Sequence, residues 1–332
     1  MDLIRVCVAV LVVIMASSAP AETLRIGTFV PEQSVGVQLV LKPWIEAVKG
    51  DLGEAITIRE FWGGSLGRNP VAQLDLVKNG VLDVAWVTPG YTPGVFPQIQ
   101  IAELPYLAEN AWEGSIATWR LHDAGLIEGD NGVHVIGIWT TDIASLQMGA
   151  PIDSLDNLRN QRIRTAGAVQ ASFVQAIGAI PQTLTAIETN EAMQRRTIDG
   201  MIQAWTGMRT FRTEELTSAA YEAPVGLIPF LLIMNRQTWD KLSPEAQQVM
   251  MRHGGEALAR DAGRAYDRTA ADIRLKIKEA AKHTLFVPSA EENARNFERV
   301  RDVYEEWITN TPKGQEVYDL YVATLKELRG GP

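Results

Sequence analysis

Cysteine is almost absent from this sequence of 332 residues, which contains a single one, Cys7. It lies inside an apolar run, residues 6–16, that precedes the small-residue pattern Ala19-Pro20-Ala21. A short apolar run followed by such a pattern predicts a signal peptide over residues 1–21, cleaved near Ala21, and an exported mature chain in the periplasm. Without a further cysteine, disulfides, cysteine nucleophiles and thiolate metal sites are excluded from that mature chain.

Long apolar runs and excess positive charge are also missing. No later segment reaches the roughly 20 apolar residues that a membrane-spanning helix needs, so we expect a soluble mature protein. Lysine and arginine number 31 against 40 aspartates and glutamates, which leaves a net charge of −9. An acidic chain is a poor partner for nucleic acid. An anionic ligand would therefore need a local cationic site.

Signatures of metal and cofactor sites are missing too. The four histidines are His122, His134, His253 and His283. They do not have the spacing of metal ligands, such as His-x-x-x-His. No glycine-rich phosphate loop ends in Lys-Ser or Lys-Thr, and Gly-x-Gly-x-x-Gly does not occur where a strand meets a helix. The sequence predicts neither a metal nor a cofactor.

The sequence does contain short apolar runs that alternate with segments of helical periodicity, and this pattern is typical of an α/β protein. Predicted strands cover residues 23–29, 56–62, 82–87, 133–140, 163–165, 181–184 and 201–205. Intervening helices imply parallel pairing, and ligands of such sheets bind at the carboxyl ends of the strands. The pattern restarts after residue 140, and residues 76–83 weakly resemble 193–199. About 310 residues usually form two lobes, so we expect two α/β lobes of similar plan.

From Ser243 onward the sequence is helical. Ser243 and Pro244 form a capped helix start, and no helix-stopping signal follows before Lys282 except Gly254-Gly255, where the helix would bend or break. An unbroken helix of about 40 residues would be roughly 60 Å long and would have to lie across both lobes. We predict that residues 22–141 and about 229–268 form the first lobe. Residues 142–228 and about 269–332 would form the second.

Arg164 is the most informative single residue, because it ends a short predicted strand just before the turn Ala166-Gly167. A planar guanidinium offers two parallel donors that match the two oxygens of a carboxylate. From the pattern alone, a surface ion pair with Asp153 or Asp156 is the commoner outcome for such a residue.

Several motifs in a fixed order resemble those of the solute-binding proteins of TRAP transporters, the DctP family. They are Gly64-Ser65-Leu66-Gly67, residues 80–83, Leu104-Pro105-Tyr106-Leu107, residues 155–164, Asp199-Gly200 and residues 234–244. The resemblance implies a periplasmic two-lobe binding protein with a central cleft and a long helix spanning both lobes. It also implies closure on an organic acid and delivery to two membrane subunits, with Arg164 gripping the ligand carboxylate and Gln203 bonding beside it.

The sequence departs from part of this family. Residues 142–146 lack the second arginine of sugar-acid-binding members, and Met201-Ile202 stands where keto-acid-binding members with a metal carry a glutamate. Both departures argue against sugar-acid and metal-bridged ligands. Trp86, Trp139 and Trp205 stand at predicted strand ends, where they either pack the lobes or line the cleft. With Phe29 and Thr88 they are predicted to shape the site around a monocarboxylate, or a keto or hydroxy acid, with an apolar or aromatic body.

Two alternatives stay open at this point. Gly63-x-Ser65-x-Gly67 matches the nucleophile elbow of exported serine hydrolases, although the predicted helix begins at Asn69-Pro70 rather than directly after the serine. A binding protein of the same kind could also present its ligand to a sensor kinase rather than to a transporter. We predict a binding protein without catalytic residues.

Overall fold

A computed structural model describes residues 22–129, 132–280 and 283–330; the predicted signal peptide lies outside them. The strands of this part of the chain are β1 (Glu22–Gly27), β2 (Ile56–Phe61), β3 (Val84–Val87), β4 (Val133–Thr140), β5 (Ala144–Met148), β6 (Arg162–Thr165), β7 (Ile180–Thr183), β8 (Gly200–Ala204), β9 (Ala219–Tyr221), β10 (Pro229–Asn235) and β11 (Thr284–Phe286).

The α-helices of the same ranges are α1 (Lys42–Leu52), α2 (Gln73–Lys78), α3 (Ala111–Asp123), α4 (Ala168–Ala176), α5 (Thr189–Gln194), α6 (Trp205–Phe211), α7 (Arg236–Lys241), α8 (Pro244–His253), α9 (Gly255–Glu279), α10 (Ala290–Val300), α11 (Asp302–Asn310) and α12 (Gly314–Gly330). A π-helical turn, Val37–Leu41, runs into α1, whose Pro43 is tolerated because it falls in the first turn.

Two sheets form the two lobes, as predicted. The first has the order β2-β1-β3-β10-β4 and the second the order β11-β9-β5-β8-β6-β7. The predicted parallel pairing is confirmed for β1 with β2 and β3, and for β6 with β7 and β8. Strands β5 and β10, which the sequence patterns did not predict, run antiparallel to their neighbours. The chain therefore crosses between the lobes after β4 and again before β10.

The same salt bridge organises both lobes. Asp83 accepts hydrogen bonds from the backbone nitrogen (2.7 Å) and Nε (2.9 Å) of Arg25. Asp199 accepts the matching pair from Arg162, at 2.8 and 3.0 Å. In each lobe the arginine lies in one strand, and its aspartate directly precedes the neighbouring strand that pairs with it. The weak similarity between residues 76–83 and 193–199 therefore reflects the same salt bridge, repeated between two paired strands in each lobe.

The predicted 40-residue helix is broken, but its longer part spans both lobes. Gly254 leaves helical geometry and Gly255 has a φ of +56°, which separates α8 from α9. Helix α9 has 25 residues, or about 37 Å of length. Its first half packs on the first lobe through Leu258 and Ala262, and its second half joins Trp205 of the second lobe through Ile273 and Ile277.

The exact partition of the chain between the lobes stays a prediction. Helix α12, assigned by the sequence to the second lobe, packs against α3, which was assigned to the first. No helix in the described ranges has the length and apolar content needed to cross a membrane.

Helices α9 and α3 approach each other closely at Gly263. Asp267 of α9 accepts hydrogen bonds from the backbone nitrogens of Ala111 (2.8 Å) and Trp112 (3.0 Å), which caps the start of α3. A Cβ at Gly263 would lie 2.5 Å from the Cα of Trp112, closer than any real contact. A glycine at this position is therefore required by the packing of the spanning helix.

We predict that Gly263→Ala lowers the free energy of unfolding by about 1–3 kcal/mol, because backbone atoms of α3 would have to move. Thermal unfolding followed by circular dichroism measures this. The matched control is Gly50→Ala in α1, where the new Cβ meets nothing within 4 Å. That control should be neutral or stabilising, by up to about 1 kcal/mol. Equal effects of the two substitutions would contradict the close packing.

Candidate functional site

Arg164 lies in β6, between β7 and β8, and is 1% exposed. Its guanidinium donates from Nε to the carbonyl of Leu184 (2.9 Å), from Nη1 to the carbonyl of Ile202 (3.4 Å) and from Nη2 to Oη of Tyr91 (3.2 Å). The surface ion pair considered for it is not formed, and Asp156 pairs with Arg299 instead. Within the described residues, no carboxylate forms a salt bridge with Arg164.

Glu103 is a second buried ionisable residue, and the positive charge of Arg164 acts on its carboxyl group. Neither of its carboxyl oxygens has a hydrogen-bond partner among the described residues. Burial raises the pKa of Glu103 to about 8, although the nearby positive charge of Arg164 lowers it in part. Burial thus favours the neutral form of this carboxyl group and weakens it as a counter-charge for the guanidinium.

A cavity lies between the lobes, and Arg164 forms part of its wall. Its polar lining consists of Thr88, Tyr91, Thr141, Gln203, Thr206 and Thr210. Its aromatic lining consists of Phe29, Trp86, Phe211, Phe230 and Tyr266. The cavity thus combines one cation, several neutral hydrogen-bonding groups and a large aromatic surface.

Aromatic rings from both lobes meet around this space. Phe29, just after β1, stacks on Phe211 at the end of α6, with ring centroids 6.5 Å apart and planes 12° from parallel. Trp86 meets Phe230 edge to face at 4.9 Å. Such pairs have the stacked and edge-to-face geometries that aromatic rings prefer, and their members line the cavity.

Gln203, at the end of β8, is buried and lines the same cavity. Its Oε1 accepts a hydrogen bond of 2.6 Å from the hydroxyl of Thr213. Since the oxygen is held by Thr213, the amide NH2 group remains available as a donor beside Arg164. The sequence had indicated Gln203 only through family resemblance.

Five of the seven predicted ligand-binding residues line the cavity; they are Phe29, Trp86, Thr88, Arg164 and Gln203. The structure does not place Trp139 and Trp205 among the lining residues. Trp139 is fully buried behind Trp86, with ring centroids 5.4 Å apart. Trp205 begins α6 rather than ending β8; its backbone nitrogen donates to Asp142 (2.8 Å) and its side chain packs against α9.

Sequence reasoning missed four aromatic lining residues: Tyr91, Phe211, Phe230 and Tyr266. Tyr91 lies in a loop at the carboxyl end of β3, a position that the strand pattern could have indicated. Phe230 belongs to β10, which was not predicted, and Tyr266 lies on α9 far along the chain. Their proximity depends on the antiparallel return of the chain to the first sheet.

The described ranges contain no group of three or more His, Cys, Asp or Glu side chains placed to hold a metal ion. Ser65 is exposed in the turn after β2, well before the 3₁₀ turn Pro70–Ala72 that starts the following helix. A nucleophile elbow needs a helix directly after its serine, so the local geometry does not match that motif.

Comparison with known proteins gives a consistent family. The family model of the bacterial extracellular solute-binding proteins, family 7 (DctP), matches residues 26–310. A curated relative is the outer membrane transporter protein TsaT of Comamonas testosteroni, which is 25% identical over 96% of this chain and 97% of its own length.

Two solved structures share the fold. One is a TRAP solute-binding protein from Rhodoferax ferrireducens in complex with copurified benzoate, with a TM-score of 0.87 and 24% identity over 92% of this chain and 98% of that one. The other is a TRAP solute-binding protein from an unidentified marine microbe, specific for aromatic acid ligands, in complex with 3-hydroxybenzoate. Its TM-score is 0.87, with 24% identity over 93% of this chain and 99% of that one. The expected two-lobe binding fold is confirmed.

The buried carboxyl of Glu103 makes stability depend on pH. Its pKa is about 8 in the folded protein against an ordinary 4.5, so between these values the folded state holds a proton that the unfolded state has lost. Stability therefore falls as the pH rises through this window. We predict that Glu103→Gln raises the melting temperature relative to wild type, by more at pH 8 than at pH 5.

Thermal unfolding across this pH range checks the prediction, with Glu54→Gln as an exposed control. Burial also raises the pKa of Asp142, to about 7, so this residue makes stability fall with rising pH in both Glu103→Gln and wild type. If the difference in melting temperature between Glu103→Gln and wild type stayed constant from pH 5 to pH 8, the proposed contribution of Glu103 to the pH dependence would be wrong.

Proposed function

Because the chain belongs to family 7 of the bacterial extracellular solute-binding proteins, we propose that it binds a monocarboxylic acid with an aromatic body between its two lobes. It would deliver this ligand to the membrane subunits of a TRAP transporter. The matched region, residues 26–310, covers both sheets and the spanning helix α9.

The observation that carries this proposal is the buried guanidinium of Arg164, which forms no salt bridge within the described chain. A buried charge without a counter-charge is unfavourable, and its most direct compensation is an anion. Three donor bonds to Leu184, Ile202 and Tyr91 leave part of the five-donor fork unused. A carboxylate matches the planar fork and neutralises its charge.

The aromatic lining supports a flat apolar body on this carboxylate. Trp86, Phe29 and Phe211 provide ring faces and edges on several sides of the cavity. Among the described residues that line the cavity, Arg164 is the one lysine or arginine, so a second carboxylate would find no cationic partner. A polyhydroxylated sugar acid would lose hydrogen bonds to water against these rings. The aromatic acids bound by the two solved neighbours combine one carboxylate with one ring.

We also propose that the protein works in the periplasm after removal of residues 1–21, since its family is extracellular. Catalysis is not part of the proposed function. The solute-binding family and fold are those of receptors, and Ser65 lies exposed outside the cavity. Presentation of the ligand to a sensor kinase would use the same cleft, and it differs from the proposal only in the membrane partner.

Isothermal titration calorimetry against matched acids tests the ligand class. We expect benzoate and 3-hydroxybenzoate to bind, and succinate and gluconate to bind at least about tenfold more weakly, because the lining offers one cation and a large aromatic surface. Tight binding of succinate without binding of any aromatic acid would contradict the proposal.

Replacement of Arg164 tests the carboxylate anchor. Arg164→Lys keeps the charge but loses the fork, and Arg164→Gln loses both. We expect Arg164→Gln to weaken benzoate binding by about 30-fold or more, because loss of one partner of a buried charge pair costs 2–5 kcal/mol. Arg164→Lys should fall between this variant and wild type.

The matched control is Arg195→Gln, whose parent side chain is 73% exposed and pairs with Glu191 four residues earlier. It should bind benzoate as the wild type does. Circular dichroism would verify that each variant is folded. Unchanged affinity in a folded Arg164→Gln variant would rule out Arg164 as the anchor. A hydrolase activity that Ser65→Ala abolishes would point instead to the hydrolase motif.

A further inference from the structure

Tyr91 connects the two lobes at the cavity wall. It lies in the 3₁₀ turn Pro89–Tyr91, directly after β3 of the first sheet. Its hydroxyl oxygen accepts a hydrogen bond from Nη2 of Arg164 (3.2 Å) and another from the backbone nitrogen of Ala186 (2.9 Å). Both donors belong to the segment that carries the second sheet. A first-lobe side chain thus touches the proposed carboxylate anchor itself.

The chemistry of these two donors sets the direction of the Tyr91 proton. A guanidinium and a backbone N–H group can only donate, so the phenol oxygen must be the acceptor in both bonds. A phenol has a single proton, and with both bonds accepted this proton must point elsewhere. Across the described ranges, the Tyr91 hydroxyl donates to no protein acceptor. Because Tyr91 lines the cavity, the remaining direction is open toward a ligand.

We propose that the Tyr91 hydroxyl donates its proton to the ligand carboxylate, beside Arg164. This inference rests on the proposed function, and it assigns to the first lobe a share of the carboxylate clamp. One carboxylate would then be held by Arg164 from the second lobe and by Tyr91 from the first. Accepting a bond from a cation also polarises the O–H group and makes it a stronger donor.

The surroundings of Tyr91 hold it in this position. Its ring lies 6.2 Å from that of Phe29, at a tilt of 55°. The neighbouring Gly90 lies against the second lobe, since a Cβ there would be 3.2 Å from the carbonyl oxygen of Ala166. These two neighbours, with the hydrogen bonds from Arg164 and Ala186, restrict the position of the hydroxyl. A preorganised donor of this kind loses little entropy when the ligand binds.

Tyr91→Phe removes the hydroxyl and keeps the ring. We expect benzoate to bind about 10- to 100-fold more weakly, as for loss of a hydrogen bond to a charged group. The matched control is Tyr318→Phe, a tyrosine packed near Tyr304 outside the cavity, which should bind benzoate as the wild type does. Unchanged affinity in Tyr91→Phe, with benzoate binding intact in wild type, would overturn this inference alone. Absence of binding of any aromatic acid to the wild type would overturn the proposed function with it.

A second variant separates donation to the ligand from simple support of Arg164. Site-specific 3-fluorotyrosine at position 91 makes the hydroxyl a stronger donor and a weaker acceptor, with little change of size. At pH 6, a hydroxyl that donates to the ligand predicts tighter benzoate binding than in wild type. A hydroxyl that serves only as acceptor for Arg164 and Ala186 predicts weaker or equal binding, and either result would overturn the proposal.

Discussion

The burial of one guanidinium without a counter-charge is the constraint on which the site depends. Arg164 lies inside a sheet, where two backbone carbonyls and one phenol accept hydrogen bonds from it. These neutral acceptors do not balance its positive charge. Glu103, on which the charge of Arg164 acts, is itself buried, and burial raises its pKa and favours the neutral carboxyl group. Burial therefore weakens Glu103 as a counter-charge, and this favours an anionic ligand.

The rest of the molecule places aromatic and hydrogen-bonding groups around that charge. The same Arg–Asp clamp aligns the strands in each lobe, so the carboxyl ends of β3 and β8 carry Trp86 and Gln203 to opposite walls of one cavity. Helix α9 packs on both lobes and contributes Tyr266 between them. A repeated local design with a shared helix therefore produces a cleft with one cationic point and aromatic walls.

Local patterns predicted the parts of this structure that depend on neighbouring residues. The strands of the two parallel units fell within about two residues of their predicted bounds, since apolar alternation and turn signals act over a few positions. Strands β5 and β10 were not predicted, because the strands that pair with them are distant in the chain. The helix break at Gly254 was foreseen as a possibility from two glycines, and the backbone conformation there decided it.

By itself, the sequence determined the α/β class, the family and the role of Arg164 as the candidate anchor, because each of these depends on residue order. Tertiary structure alone decided which aromatic residues line the cavity. Trp139 and Trp205 have the same local signature as Trp86, yet one lies behind the wall and the other packs on α9. The Tyr91 hydroxyl lies where the two lobes meet. It contacts Arg164, which is 73 positions away in the chain, and Ala186, which is 95 positions away, and no local pattern encodes such contacts.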